Sequence, residues 1–162
     1  MKTLKKLVPG FVIAVMTFLY ACGGSGGSPS TDSASTTSTA ATADIDPAAK
    51  SDSKGVGRFT SVQLGPIDPA MAEKGKTIFA AKCAACHKTT DQKVVGPGLK
   101  GVTDRRTPEW IMNQITNPTE MEQKDPVGQA LLAKHLTQMT FQNVTDDETR
   151  QILEFLRQND KK

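Results

Sequence analysis

Apolar residues recur at helical spacing from residue 68 onward, and no stretch shows the alternation of a β-strand. A first helix is predicted to begin at Asp68-Pro69, because aspartate caps free amides and proline fits the first helical position. Its apolar face is formed by residues at helical spacing, namely Met71, Gly75, Ile78 and Phe79. A glycine inside a helix costs about 1 kcal/mol relative to alanine, so Gly75 predicts the close approach of another helix, with simple tolerance of a glycine as the alternative.

Three further helices are predicted from the same kind of start signal, and together they indicate an all-α domain. The signals are Thr107-Pro108, Asp125-Pro126 and Thr145 with Glu148 three residues on, the last being a capping box. The helix after Thr107 is predicted to end at Asn117-Pro118. The last helix carries an apolar stripe of Ile152, Phe155 and Leu156.

The first 22 residues have the composition of an export signal. Three lysines precede an apolar run from Phe11 to Ala21, and its 11 residues are too few to span a bilayer. Residues 1–21 are therefore predicted to be a signal peptide. The stretch Leu19-Tyr20-Ala21-Cys22 resembles the bacterial lipobox, which implies that Cys22 is acylated and anchors the exported chain to a membrane. An ordinary secretory signal with an unrelated cysteine is the alternative.

Residues 22–54 are predicted to be a flexible linker. Gly, Ser, Thr and Ala fill 23 of the 32 positions from 23 to 54, where Ile45 is the only large apolar residue. Such a segment cannot bury enough surface to offset the entropy of ordering it, and as a coil it would span roughly 30 Å. It would serve as a tether or as a plain spacer. Residues 55–67 are predicted to be an extended lead-in on the surface of a domain at 68–162.

The charge of the exported chain argues against nucleic-acid binding. The net charge is +3, but three of the lysines lie in the signal, and the remainder carries 17 basic and 17 acidic residues. The sequence shows no basic patch of the kind that binds nucleic acid. Aromatic residues make up 5% of the sequence, which is little for a self-sufficient core, and a buried apolar cofactor would supply the missing bulk.

The pentapeptide Cys83-Ala84-Ala85-Cys86-His87 points to a specific chemistry. Two thiols three positions apart can each add across a vinyl group of haem, and the adjacent histidine can bind the iron from one face. Three other interpretations fit less well. A redox pair would lie near a βαβ pattern, which the sequence lacks. A zinc site would have only His135 as a fourth ligand, without a partner at finger spacing. A plain disulfide would leave His87 without a role.

The opposite face of the iron needs a second axial ligand. A methionine thioether holds both redox states and raises the potential. Met139 is predicted to be this ligand, because it lies 52 residues after His87 in a non-helical stretch before the last helix. His135 is the alternative and would give a bis-histidine site of lower potential. Met112 and Met121 lie in or just after a predicted helix.

The loop after the pentapeptide and the single tryptophan are candidates for the surroundings of the haem. A carbonyl in the loop from Val94 to Val102 could accept a hydrogen bond from the other ring nitrogen of His87 and so fix its tautomer. Leu99 is a candidate for packing on the haem face or for an ordinary core position. Trp110 could donate its indole N–H to a haem propionate, and a plain core position is the alternative.

From Asp68 to Arg157 the chain resembles a class I cytochrome c with one haem. The resemblance rests on the helix that leads into the pentapeptide, on Gly96-Pro97-Gly98-Leu99, and on a loop methionine ahead of the last helix. It implies a small cytochrome c fold, in which four to five helices wrap around one covalently bound haem c. In this family the first and last helices cross near a glycine and an aromatic residue, here Gly75 with Phe79 and Phe155.

The same resemblance implies the residues of the site. Cys83 and Cys86 bind the haem covalently, His87 and Met139 are the axial ligands of its iron, and Pro97 orients the histidine. The sequence departs from the family at one position. The axial methionine is usually followed by proline, and here it is followed by Thr140.

These features predict a membrane-tethered monohaem cytochrome, not an enzyme, that shuttles single electrons between respiratory redox proteins on the periplasmic side or the cell exterior. Residues 73–106 hold eight basic and three acidic side chains, and residues 109–154 hold three basic and eight acidic ones. The basic half is predicted to rim the haem edge and to steer an acidic partner, and solvated faces without a steering role are the alternative. Two alternatives remain: a haem subunit or domain of a larger reductase or oxidase, and a haem-based gas sensor or enzyme with a labile sixth ligand.

Overall fold

A computed structural model describes residues 45–162, so the signal segment, Cys22 and most of the predicted linker lie outside the described residues. Residues 45–162 form six α-helices and no β-strand, which confirms the all-α prediction. The helices are α1 (Pro69–Lys82), α2 (Val102–Arg105), α3 (Pro108–Thr116), α4 (Pro118–Lys124), α5 (Pro126–His135) and α6 (Asp146–Asp160). Within this part of the chain, no helix is both long enough and apolar enough to cross a membrane.

The four predicted helices are α1, α3, α5 and α6, and each begins at its predicted cap. Asp68, Thr107, Asp125 and Thr145 each accept a hydrogen bond from a main-chain N–H in the following turn, and Glu148 completes the capping box at Thr145. Caps of this kind are each worth about 1 kcal/mol. Local side-chain chemistry therefore sets where these helices start.

Two of the six helices, α2 and α4, were not among the four that the sequence marked. The short α2 follows Gly101, which has a φ of 69° and provides no side-chain cap, so its start carries no polar signal. The α4 helix begins at Pro118, which the sequence indicated as the end of α3. Proline ends one helix and suits the first position of the next, and here it does both.

The first and last helices cross at Gly75, as the family resemblance implied. A Cβ atom at this position would overlap the main-chain carbonyl of Gln151 on α6, so only glycine lets the two helices approach this closely. One turn further along α1, the rings of Phe79 and Phe155 lie 5.3 Å apart between centroids. Lys82 then ties the end of α1 to Glu148 in the first turn of α6. This crossing fixes the point at which α1 delivers the pentapeptide.

The residues before α1 form an irregular segment that lies along the domain, and we call residues 46–65 the N-terminal strap. The amide of Ser51 donates to the carbonyl of Arg105 (3.0 Å), and the hydroxyl of Ser53 donates to Asp125 (2.7 Å). The guanidinium of Arg106 donates to the carbonyls of Pro47 and Ala49. The last residues of the predicted flexible linker, up to residue 54, are therefore held on the domain, because polar side chains of the domain bind their main chain.

Candidate functional site

The pentapeptide forms a turn that continues directly from the end of α1. Cys83 is the C-terminal cap of this helix, and its carbonyl accepts hydrogen bonds from the amides of Cys86 (3.0 Å) and His87 (2.9 Å). Both thiols are free, with Cys83 half-buried and Cys86 exposed. The turn therefore holds the two thiols and the imidazole on one short piece of backbone.

The pKa of the Cys83 thiol is raised to about 11, chiefly by burial and slightly by Cys86, while Lys82 lowers it. A thiol with this pKa is uncharged at neutral pH. Its surroundings therefore suit an uncharged sulfur, and a thioether is one. They do not suit a redox-active cysteine, which needs a lowered pKa.

The ring of His87 is held by the loop that follows it. Nδ1 of His87 lies 2.9 Å from the carbonyl oxygen of Pro97, so Nδ1 carries the proton and Nε2 is the nitrogen left to bind a metal. This is the hydrogen bond to a loop carbonyl that the sequence predicted. A Cβ atom at Gly96 would overlap the imidazole ring, so glycine is required for the loop to pass this close.

Met139 is half-buried and is held from two neighbouring helices. Its main-chain N–H donates to Oε1 of Glu122 on α4 at 2.8 Å. Its sulfur lies 3.7 Å from the amide nitrogen of Gln114 on α3. The amide oxygen of Gln114 and the other carboxyl oxygen of Glu122, Oε2, are buried and have no protein partner among the described residues. The methionine is thus fixed at both its backbone and its sulfur.

His135 lies at the end of α5, near Lys93 and His87. Its pKa is lowered by burial, then by the charges of Lys93, Lys134 and His87, so its ring is neutral at neutral pH. Nδ1 of His135 is buried without a protein partner in the described part of the chain. The two histidines are therefore near enough to interact electrostatically, and His135 lacks the hydrogen bonds that hold Met139.

The two other predicted neighbours have different surroundings. Leu99 is partly buried against the core, and its amide donates to the carbonyl of Lys88 (2.8 Å). Trp110 is buried on α3, and its indole N–H donates to Asp125 at 2.9 Å. The indole donor is thus used inside the protein, which fits the core alternative for Trp110 and not the propionate contact.

The residues present fit a covalently held haem. Two free thiols lie at the spacing that the two vinyl groups require, and a histidine beside them keeps Nε2 available. Met139 supplies a thioether whose sulfur accepts a hydrogen bond from Gln114, while its main-chain N–H donates to Glu122. Within residues 45–162, no group of three or more His, Cys, Asp or Glu side chains is arranged to bind a metal ion directly.

Exposed apolar side chains come from both loops that carry the proposed ligands. Val94 and Val95 are 43% and 44% exposed in the loop after His87, and Leu136 and Phe141 are 85% and 47% exposed on either side of Met139. Exposed lysines accompany them at positions 88, 93 and 134. We call these four apolar residues the apolar rim.

Sequence reasoning missed Gln114 and Glu122. Gln114 stands between Asn113 and Ile115 in the last turn of α3, and Glu122 belongs to a helix that was not predicted. Both are common polar residues on helices, where a solvated position is the ordinary expectation. Only their contacts with Met139 distinguish them from surface residues.

Comparison with known proteins gives a consistent result. The profile of the family described as cytochrome c matches residues 72–160, more than half of the chain. The chain is 35% identical over 69 residues to a cytochrome c-553-like protein of Synechocystis, covering 40% of this chain and 66% of that protein. It is 31% identical over 118 residues to cytochrome c2 iso-2 of Rhodospirillum centenum, covering 56% and 94%. The chain thus spans just under two thirds of the first relative and nearly all of the second.

Solved structures agree with these relatives. The fold is similar to that of a cytochrome c from Rhodothermus marinus, with a TM-score of 0.63 and 40% identity over 65% of this chain and 90% of that one. An engineered form of the same cytochrome matches with a TM-score of 0.63 and 39% identity. These identities extend the similarity beyond the fold to the sequence.

Proposed function

The chain belongs to the cytochrome c family, whose members carry one covalently attached haem c, and from that premise we propose that it is a membrane-tethered carrier of single electrons. When bound, the haem supplies an iron that alternates between the ferric and ferrous states. The protein supplies the ligands, a dry pocket and a surface for brief docking. The observation that carries the proposal is the turn that places two free thiols beside a histidine with a fixed tautomer.

In this proposal Cys83 and Cys86 hold the haem, and His87 and Met139 bind its iron. The hydrogen bond from Nδ1 of His87 to the carbonyl of Pro97 orients the ring and leaves Nε2 free to bind the iron. The two hydrogen bonds of Met139 support it as the second ligand over His135, whose ring has no comparable anchor. A site with both positions filled by the protein exchanges electrons and has no open position for a substrate.

The apolar rim and its lysines are the proposed docking surface. The rim residues flank the two axial ligands in sequence, so a partner seated on them would lie close to the haem. The exposed lysines 88, 93 and 134 would attract an acidic partner and raise the rate of encounter. Respiratory redox proteins of the periplasm are the partners that we propose.

The tether is a separate part of the proposal. Cys22 would carry the lipid, and the segment from there to the N-terminal strap would let the domain reach partners at high local concentration. In cells that attach haem covalently to cytochromes c, Cys22→Ser is expected to move the protein from the membrane fraction to the soluble fraction. A wild-type protein that is already soluble would contradict the anchor without affecting the haem site.

The visible spectrum of the purified protein tests the ligand set. We expect a c-type pyridine haemochrome, together with the weak ferric band that marks methionine bound to iron. Met139→Ala should abolish the band. The control is Met71→Ala, which removes a half-buried methionine on α1 and should keep the band. Absence of covalent haem would overturn the proposal as a whole.

Carbon monoxide distinguishes the carrier from the sensor or enzyme alternative. A ferrous protein with both axial positions filled should bind it slowly, and Met139→Ala should bind it fast. Fast binding by the wild-type protein would favour an open or labile sixth position. A partner that copurifies in fixed ratio would favour the alternative of a haem subunit in a larger complex.

A further inference from the structure

The loop that carries Met139 has few restraints of its own. Leu136 at its start has a φ of 54° and is 85% exposed, and Thr140 after the methionine is exposed. Thr140 also stands where a proline would stiffen the chain. The position of the methionine therefore depends on Gln114 and Glu122, which lie on α3 and α4.

The residue before each of these two side chains is buried and bound by the N-terminal strap. Asn113 precedes Gln114 and is 1% exposed. Its amide group donates to the carbonyls of Lys54 and Phe59 (both 2.9 Å), and its oxygen accepts from the amide of Phe59 (3.0 Å). One side chain thus makes three hydrogen bonds to the strap.

The same arrangement occurs on α4. Met121 precedes Glu122 and is fully buried. The amide of Val56 in the strap lies 2.9 Å from the sulfur of Met121, and Gly55 lies so close that a Cβ atom there would overlap that sulfur. Successive residues of a helix point about 100° apart, so one member of each pair can face the strap while the next faces the methionine loop.

We propose that the N-terminal strap positions the axial methionine, acting through the pairs Asn113–Gln114 and Met121–Glu122. The strap sets the rotation of α3 and α4 about their axes, and that rotation sets where the amide of Gln114 and the carboxylate of Glu122 meet Met139. This inference rests on the proposed function, because it requires Met139 to bind the iron. Under this proposal residues 54–59 help to form the site, although none of them binds the iron.

Glycine-to-alanine substitutions within the strap provide a test. Gly55 and Gly57 have φ values of 70° and 156°, so alanine there also strains the backbone, which the melting temperature reports. In Gly57→Ala the new methyl group would overlap the side chain of Asn113, and in Gly55→Ala it would overlap Met121. Gly65→Ala makes the same chemical change in the same segment, but a Cβ atom there has no heavy atom within 4 Å. All three leave α3, α4 and the methionine loop unchanged in sequence.

The readouts are the ferric methionine-to-iron band and the affinity of the ferric holoprotein for imidazole, which competes with Met139. We expect Gly57→Ala and Gly55→Ala to weaken the band and to bind imidazole roughly three- to tenfold more tightly than wild type, as expected for residues coupled by contact. Gly65→Ala should match wild type in both. Melting temperatures, measured in parallel, report any general loss of stability.

Asp160→Ala is the control for a loss of stability that does not involve the strap. This side chain accepts three hydrogen bonds from Gly101 and Thr103, far along the chain from the strap. It should lower the melting temperature and leave the band and the imidazole affinity unchanged. If Gly57→Ala and Gly55→Ala behave like Asp160→Ala, the strap is structural only and the inference is wrong. A wild-type protein without the band would overturn the ligand assignment as well, which separates the two failures.

Discussion

At the scale of single residues, the candidate site depends on polar atoms that form hydrogen bonds with the two proposed ligands, His87 and Met139. The carbonyl of Pro97 fixes the tautomer of His87, and the carboxylate of Glu122 holds the main chain of Met139. Glu122 is 7% exposed, so no water replaces it easily. A net hydrogen bond of this kind is worth about 1 kcal/mol and more where an ionised group accepts it.

Glu122 allows a direct test of how the methionine is held. Glu122→Ala removes the acceptor for the N–H of Met139, and we expect the ferric protein to bind imidazole about tenfold more tightly, in line with the loss of one buried hydrogen bond. Glu122→Gln keeps an oxygen acceptor and should stay within about threefold of wild type. Imidazole titrations followed by absorbance give both values. Equal effects of the two variants would argue against the hydrogen bond.

The lowered pKa of His135 predicts how the stability of the protein depends on pH. Burial and then the nearby positive charges lower its pKa in the folded state, so the unfolded chain binds a proton more readily. Stability should therefore fall as the pH drops below the ordinary histidine pKa of about 6.5. His135→Gln should flatten this decline in urea titrations between about pH 7 and pH 5. An unchanged slope would show that His135 does not contribute.

At the scale of elements, the crossing of α1 and α6 positions the pentapeptide. Gly75 permits contact between the two backbones, and Phe79 packs against Phe155 one turn before Cys83. The strap contacts α3 and α4, which hold Met139. The two proposed ligands are thus held by different parts of the fold.

Gly75→Ala tests the crossing. Alanine favours an isolated helix by about 1 kcal/mol, but its methyl group would overlap the carbonyl of Gln151. The two helices must then move apart, and we expect a net loss of roughly 1–3 kcal/mol in the free energy of unfolding by urea. Lys74→Ala, on the exposed side of the same helix, is the control and should change stability by less than about 0.5 kcal/mol. A stabilised Gly75→Ala would contradict the packing.

At the scale of the whole molecule, the charge is divided between the two halves of the domain sequence. Eight basic and three acidic side chains lie in residues 73–106, before the acidic second half. The loop with Lys88 and Lys93 belongs to the basic half, and the fold places Lys93 and Lys134 near His135. A carrier with this surface should meet negatively charged partners faster than positively charged ones.

Salt tests this surface without knowledge of the natural partner. Oxidation of the ferrous protein by ferricyanide, a small anion, should slow several-fold as ionic strength rises from about 0.01 to 0.15 M, since the Debye length falls from about 30 to 8 Å. The double variant Lys93→Gln with Lys134→Gln should react more slowly at low salt and show a weaker salt dependence. Stopped-flow absorbance measures both rates. A wild-type rate that does not respond to salt would rule out steering by these lysines.

The helix starts could be predicted because their causes are local. Asp68, Thr107, Asp125 and Thr145 cap amides two or three residues away, and that spacing is visible in the sequence. The start of α4 at Pro118 was hidden because one proline served two helices. The contacts of the last linker residues were hidden because Ser51 and Ser53 look like linker residues until their partners Arg105 and Asp125 are known.

Two features of this protein follow from its sequence alone: a thiol pair and a histidine within five residues, and an all-α domain built from capped helices. These are consequences of covalent spacing and of hydrogen bonds between near neighbours. The contacts that hold Met139, and those that join the strap to the helices beside it, are visible only in the tertiary structure. Those contacts join Gln114 and Glu122 to Met139, and Asn113 and Met121 to the strap. Residues so far apart in the chain meet only after the helices have packed, so no local pattern records them.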